Sequence, residues 1–248
     1  MQSLAAGAIG VLIGASVLVS VRLLVLHRRT GAWPELLLGG MLLLSVGVGY
    51  PLHIAAQRLA ETWSDPFLAV ADIAVAVGFS LLFLFTRRVF RPQATWARVL
   101  AAAGVMTLLG KALHRCVQVY GPGAIHVMDL PPADTLVQTG PVIVAYVWTA
   151  SESLRYYGAM RRRARLGLAD VAVTDRFLLW GVMGLSATSG VVLNTLAVVL
   201  GVDVLGSPWI LLVSSITGLV QAVCLVLAFV PPRAYLGWVR ARAAAAAD

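Results

Sequence analysis

Apolar residues fill this chain in seven long stretches, separated by short links that carry most of the arginines, glycines and prolines. Neither the two-residue alternation of half-buried strands nor the narrow apolar stripe of a surface helix occurs. The pattern predicts helices over residues 4–26, 33–56, 66–85, 97–117, 141–160, 177–201 and 208–230. A stretch of about 20 apolar residues is what a helix needs to cross ~30 Å of hydrocarbon. Little chain remains outside these stretches, so no soluble domain is expected. Only Met1-Gln2-Ser3 precedes the first one and Arg22 interrupts its far end, so it reads as a retained helix rather than a cleaved signal peptide.

Composition agrees with that pattern: 60% of residues are hydrophobic, 12% are charged, and the mean hydropathy is +0.88. The fold class expected is therefore all-α integral membrane, multi-pass, in a cell (plasma or inner) membrane. Charge sets the orientation. If seven helices alternate, all of the 19 lysines and arginines except Arg58, Lys111 and Arg115 fall on one side. Basic residues mark the cytoplasmic face, which places the N-terminus outside and the C-terminus inside. The net charge of +8 then reflects topogenesis and anionic lipid headgroups, not nucleic acid. Cys116 and Cys224 lie in different helices, so no disulfide framework or thiolate metal site is indicated.

A three-helix unit recurs. Ser20-Val21-Arg22 is followed by Arg28-Arg29 at the spacing that joins Ser153-Leu154-Arg155 to Arg161-Arg162. Residues 35–53 laid on 176–194 give seven identities in nineteen positions, among them Gly40/Gly181, Ser45/Ser186 and Gly49/Gly190. The third helices begin at Pro66 and Pro208 and are followed by Arg91, Trp96, Arg98 and Arg233, Trp238, Arg240. The domain reading is a first triplet over 1–92, a linker helix with external loop over 93–139, a second triplet over 140–240, and a tail over 241–248. An odd number of helices per unit would invert the second copy; the fourth helix restores its direction, leaving the triplets parallel.

This 3+1+3 plan resembles the SWEET/PQ-loop sugar transporters and, more loosely, the seven-helix layout of opsins and receptors. The transporter resemblance implies prolines in helices 1, 2, 5 and 6 and an asparagine pair in helices 3 and 7. The chain departs from this: Pro51 alone lies inside a helix, Pro141 opens the fifth, and positions 72 and 214 are Asp and Ser. Pro92-Gln93 falls in a loop. A retinal-binding opsin needs a lysine in helix 7, whereas the single lysine here is Lys111 in helix 4, which excludes a retinal photoreceptor.

Polar groups inside the bilayer are costly and face the bundle interior, so they are the default site candidates. Asp72 falls ~9 Å and Lys111 ~12 Å below the outer ends of their helices. His114 and Arg115 follow Lys111 on the same helix, and His53 with its repeat mate Asn194 lies at comparable depth, Tyr50 one turn below. These seven residues predict an outward-opening pocket in which Asp72 pairs with Lys111 or Arg115 and surplus positive charge receives a small polar or anionic ligand. Snorkelling of His114 and Arg115 to the headgroups, and simple packing of His53, are the alternatives.

Glu152, ~16 Å into the fifth helix, is expected near the midplane. It is either the i,i+3 partner of Arg155 or a protonatable group coupling proton movement to transport. Ser45, Ser186, Thr188, Ser189, Ser214, Ser215, Thr217 and Gln221 add either a polar lining or close packing. Residues 119–140 read as an irregular external loop, a lid or a tether, offering His126, Asp129 and Asp134. The run 160–165 and the stretch to Asp175 continue the fifth helix into water, as a stop-transfer flank or a docking surface.

Enzyme classes find little purchase. A seven-helix hydrolase of the ceramidase type would bring a His-x3-His pair, which the chain lacks. His53, His114 and Asp72 as metal ligands, or His53 and His114 as haem ligands with Lys111 and Arg115 for the propionates, have no specific spacing. No cofactor is therefore assigned and no catalytic residue is named. A solute transporter is expected first, and a receptor-like sensor with a separate cytoplasmic partner second. Lipid, a small-molecule ligand and a second copy of the chain are the partners considered.

Overall fold

The computed structural model describes residues 2–56, 59, 61–120, 132–204 and 206–244, and every regular element among them is helical. These are α1 (Gln2–Thr30), α2 (Trp33–Met41), a π-helical turn (Leu42–Gly49), α3 (Tyr50–Ala56), α4 (Glu61–Phe90), α5 (Thr95–Tyr120), α6 (Pro132–Arg165), α7 (Val171–Val199), α8 (Pro208–Phe229) and α9 (Arg233–Ala244). Gly31 and Gly167, both at φ 69°, take the left-handed conformation that closes α1 and α6. Asp170 opens α7 by accepting a 2.7 Å hydrogen bond from the Ala172 N–H.

Four elements differ from expectation. The second apolar stretch is interrupted by the π-helical turn just before Pro51. Proline has no N–H for the i−4 carbonyl and its ring crowds that carbonyl, and a wider turn accommodates both. Pro66 and Pro141 do not open their helices but lie inside α4 and α6. Residues 132–140, expected as loop, are the first turns of α6, so the irregular connection is shorter; its His126 and Asp129, like Arg58, lie outside the described residues, as does the side chain of Asp134. Finally, α9 adds a short helix beyond the last apolar stretch.

Among the described residues, six helices are long and apolar enough to cross a membrane, and they coincide with six of the seven expected stretches. The expected fifth span falls in α6, which at 34 residues is long enough but more polar than the rest. Its polar residues explain this: Thr149, Glu152 and Ser153 are all buried against other helices rather than turned outward. The outer faces are apolar, with Val11 and Leu18 of α1 and Met106 and Leu113 of α5 more than half exposed, as lipid-facing side chains are. The chain is a polytopic, all-α membrane protein.

The helices form a closed ring: α1 packs on α2 and the π turn, these on α4, α4 on α6, α6 on α7, α7 on α8, and α8 back on α1. α5 lies outside the ring against α4 and, less extensively, α6, while α9 folds onto α7. α4 is the most enclosed span, 56% buried over its apolar window against 28% for α1, α5 and α8. α4 also approaches the π turn so closely that a Cβ on Gly78 would collide with the Ser45 hydroxyl. An aromatic seam runs down the α4/α6 contact towards the arginine-rich end: Phe79 meets Tyr146 edge-on at 5.0 Å, Phe83 meets Trp148 at 6.0 Å and Phe90 meets Tyr156 at 5.1 Å. Phe85, Trp180 and Phe229 carry the seam on to α7 and α8.

Candidate functional site

Asp72 is the centre of the first cluster. Arg115 of α5 donates to its Oδ2 through Nε at 3.1 Å, and His53 of α3 lies 3.5 Å from its Oδ1 through Nε2. The Asp72 and Arg115 side chains are only 11% and 13% exposed. Arg115, one of the two expected partners, makes an ion pair with Asp72, and so it is turned inward instead of snorkelling. Lys111, one turn before it on α5, lies within electrostatic reach of both Asp72 and Arg115. Arg115 and Asp72 thus form a charge pair at low exposure, with Lys111 one turn away on α5. His114 is the exception: it is exposed on α5 and does not join the cluster. Being one residue from Arg115, it points about 100° around the helix from it. Metal or haem ligation by His53 with His114 finds no support in this arrangement, and among the described residues no group of three or more His, Cys, Asp or Glu could hold a metal ion.

Asn194 does not touch Asp72; it makes a second polar pair on the other side of the ring. Its Nδ2 donates to Ser214 Oγ at 3.2 Å and to the Gly190 carbonyl at 2.8 Å. Positions 53 and 194 match in the sequence alignment, and so do 72 and 214. The same holds of two glycine contacts: a Cβ at Gly49 would come within 2.6 Å of Val75, and one at Gly190 within 3.2 Å of Thr217, where 75 and 217 also match. Two pairs of matched positions thus approach each other both within α2–α4 and within α7–α8. Level can be read along α6. Tyr146 packs on Phe79, and Asp72 is seven residues above Phe79, about 10 Å. Thr139, bonded to Thr195, is seven residues above Tyr146, again about 10 Å. The two polar pairs lie at one level. Tyr50, partly buried one turn from His53, packs with Leu12, Val46 and Ala222, where α1, the π turn and α8 meet.

Glu152 lies on the other side of that level. It is fully buried, and its Oε1 accepts from Arg91 Nε at 2.9 Å and from Arg155 at 3.5 Å. The closer partner is thus not the i,i+3 neighbour but an arginine just past the end of α4. Its carboxylate in turn raises the Arg91 guanidinium further above its ordinary value, by hydrogen bond first and charge second. Six residues below Tyr146, Glu152 is about 9 Å towards the arginine-rich end and about 20 Å from the Asp72 level. It sits level with the end of α4. One turn above, Thr86 and Thr149 share a 2.7 Å hydrogen bond across the same α4/α6 contact. Glu152 Oε2 is buried without a partner, as are Trp148 Nε1 one turn earlier on α6 and Arg87 Nε one turn earlier on α4. Buried donors and acceptors of this kind are the groups that a water satisfies.

Sequence reasoning thus found Glu152 but missed Arg91, although Arg91 and Trp96 were already visible as a repeated element; the guanidinium lies 5.9 Å from the Trp96 ring. No local spacing links residues 91 and 152, because their contact comes from the packing of α4 on α6. Compared with protein-family models, curated proteins and solved structures, the chain matches none of them.

Proposed function

We propose that the chain is a seven-span transporter of a small polar or anionic solute, made of two parallel triplets with the N-terminus outside. The observation that carries this reading is the pair of matched polar contacts, His53–Asp72 and Asn194–Ser214, at one level in the two halves of the ring. The ring order supports it as well. The halves meet where α1 packs on α8 and where α4 packs on α6, which is first helix on third in both cases, as a two-fold along the bundle axis requires. The first pair is charged, with Arg115 on Asp72, and the second is neutral, so a solute bound between them would present an anionic or strongly polar end to Arg115. The α4/α6 contact at the arginine-rich end is filled with aromatic rings and the Arg91–Glu152 pair, so entry is from the opposite end. Glu152, with its orphaned oxygen, would act at that closed end, where losing its ion pair lets the triplets part.

The test is thermal stabilisation of the detergent-purified protein by a panel of sugars, organic anions and amino acids. A ligand present at 100 times its Kd stabilises by about 2.7 kcal/mol. The expected result is a ligand whose stabilisation is lost in both Asp72→Asn and Asn194→Ala and which proteoliposomes accumulate. A ligand indifferent to both substitutions would refute the pocket. A ligand that binds there without crossing proteoliposomes would turn the reading to a receptor acting on a cytoplasmic partner.

A further inference from the structure

The arginine-rich end holds a second chemistry, separate from both charged clusters of the ring. Where α6 runs past the last turns of the bundle, it, the start of α7 and the returning α9 enclose a cavity of about 600 Å³. Arg161 and Arg165 reach it from α6 and Arg242 from α9. Arg161 and Arg165 are four residues apart and so share one helix face, while Arg162 and Arg163, between them in sequence, do not line the cavity. Among the described residues, three guanidiniums line the cavity against one carboxylate, Asp175, which is already engaged by the hydroxyl of Tyr235. Burial, and then that hydrogen bond, raise the Tyr235 phenol above its ordinary value, so it keeps the proton it donates. The first turn of α7 also faces the cavity through Val171 and Thr174, its N-terminus already capped by Asp170.

The rest of the wall is apolar. Leu178 and Val239 form its floor, and Trp238, 55% exposed, stands beside Arg242, whose guanidinium lies 5.4 Å from the ring. α8 ends at Phe229, and α9 begins only at Arg233, so the cavity sits at the boundary of the membrane-spanning bundle. Arginine is the side chain best suited to grip phosphate oxygens in pairs, and an indole at such a boundary packs against the apolar part of what carries them.

We infer that this cavity binds a phosphate group carried on a larger organic body. An anionic phospholipid headgroup and a soluble phosphoester offer the same chemistry, and binding here is required by neither transport nor sensing. The full chain, purified in a neutral detergent, is titrated with dioctanoyl phosphatidic acid, with dioctanoyl phosphatidylcholine, with glycerol 3-phosphate and with inorganic phosphate, reading melting temperature and saturation. The decisive comparison is Arg161→Gln/Arg165→Gln against Arg162→Gln/Arg163→Gln, two variants of equal charge within one five-residue run. Saturable binding of phosphatidic acid, weakened about tenfold or more in the first variant and less than twofold in the second, is the expected result. Equal saturation by glycerol 3-phosphate would support the same cavity and identify a soluble ligand. Equal losses in the two variants, or no saturation by any of the four probes, would overturn the inference, since a diffuse basic surface does not distinguish positions. All four arginines are exposed, so these substitutions leave the fold intact. Arg242→Gln, from a different helix, provides an independent check and should weaken binding as well.

Discussion

Arg91 and Arg155 both contact Glu152, but the geometry makes them unequal. Arg91 is nearer, at 2.9 Å against 3.5 Å, and is 38% exposed where Arg155 is 66% exposed. Removing Arg91 leaves a fully buried carboxylate with one long, largely solvated partner, and charge-assisted hydrogen bonds contribute roughly 1.5–3 kcal/mol. Arg91→Met is therefore expected to destabilise by about 2 kcal/mol and Arg155→Met by less than about 1 kcal/mol, measured as detergent-solubilised unfolding. Adding Glu152→Leu to Arg91→Met should recover most of the loss, because the costly species is the unpaired charge and not the missing pair. Equal effects of the two arginine substitutions would refute this ranking. The same logic separates Arg115 from His114: only the former holds Asp72, and only its removal should lower stability.

Among the elements, α4 governs the packing because it touches the π turn, α3, α5 and α6 at once. Its approach to the π turn has no room for a side chain at Gly78, whereas Gly110 on the outer α5 has nothing within 4 Å of a Cβ. Gly78→Val should then cost roughly 1–3 kcal/mol through forced separation of α4 from Ser45, and measurably reduce folded yield. Gly110→Ala should be neutral or stabilise by up to about 1 kcal/mol, since alanine is the better helix former. A melting curve of each variant decides the contrast. The π turn is a second element-scale effect. It rotates everything after it relative to an uninterrupted helix, and His53 reaches Asp72 from beyond that turn. Pro51→Ala restores an N–H and should let the turn relax towards α-helix, abolishing any His53–Asp72 coupling in a double-mutant cycle.

For the whole molecule, the matched contacts make a strong demand. If the two halves share one register, the charged pair of the first can be installed in the second. Ser214→Asp alone should destabilise by placing a carboxylate where Asn194 now meets a hydroxyl. Asn194→His added to it should return about 1 kcal/mol as coupling, comparable to measured pairs of neighbouring polar groups. Zero coupling would mean that the likeness of positions 53/194 and 72/214 is accidental. Orientation has its own check. With Cys116 and Cys224 replaced, a cysteine at the exposed Leu166 should react with a membrane-impermeant maleimide only after cells are permeabilised, because it follows the arginine-rich end of α6.

Hydropathy alone determined that this is a helical membrane protein and where six of its spans lie, because the bilayer requires every lipid-exposed stretch to be long, apolar and internally hydrogen-bonded. The sequence also selected Asp72, Arg115, Lys111, His53, Asn194 and Glu152, since charge and polarity at depth are conspicuous in apolar surroundings. The start of α6 was not legible, because the helix begins before its apolar stretch does and its proline lies inside it. Partnership was decided by tertiary structure alone. Arg115 on Asp72, Arg91 closer than Arg155 to Glu152, His114 turned outward, and three arginines of α6 and α9 around one cavity all depend on how helices far apart in sequence rotate and pack. Periodicity constrains the face of a helix only where solvent and core differ. In a bundle apolar on both its inner and outer faces, that signal vanishes, and rotation is left to close contacts such as Gly78 on Ser45 and to the few polar groups that must meet.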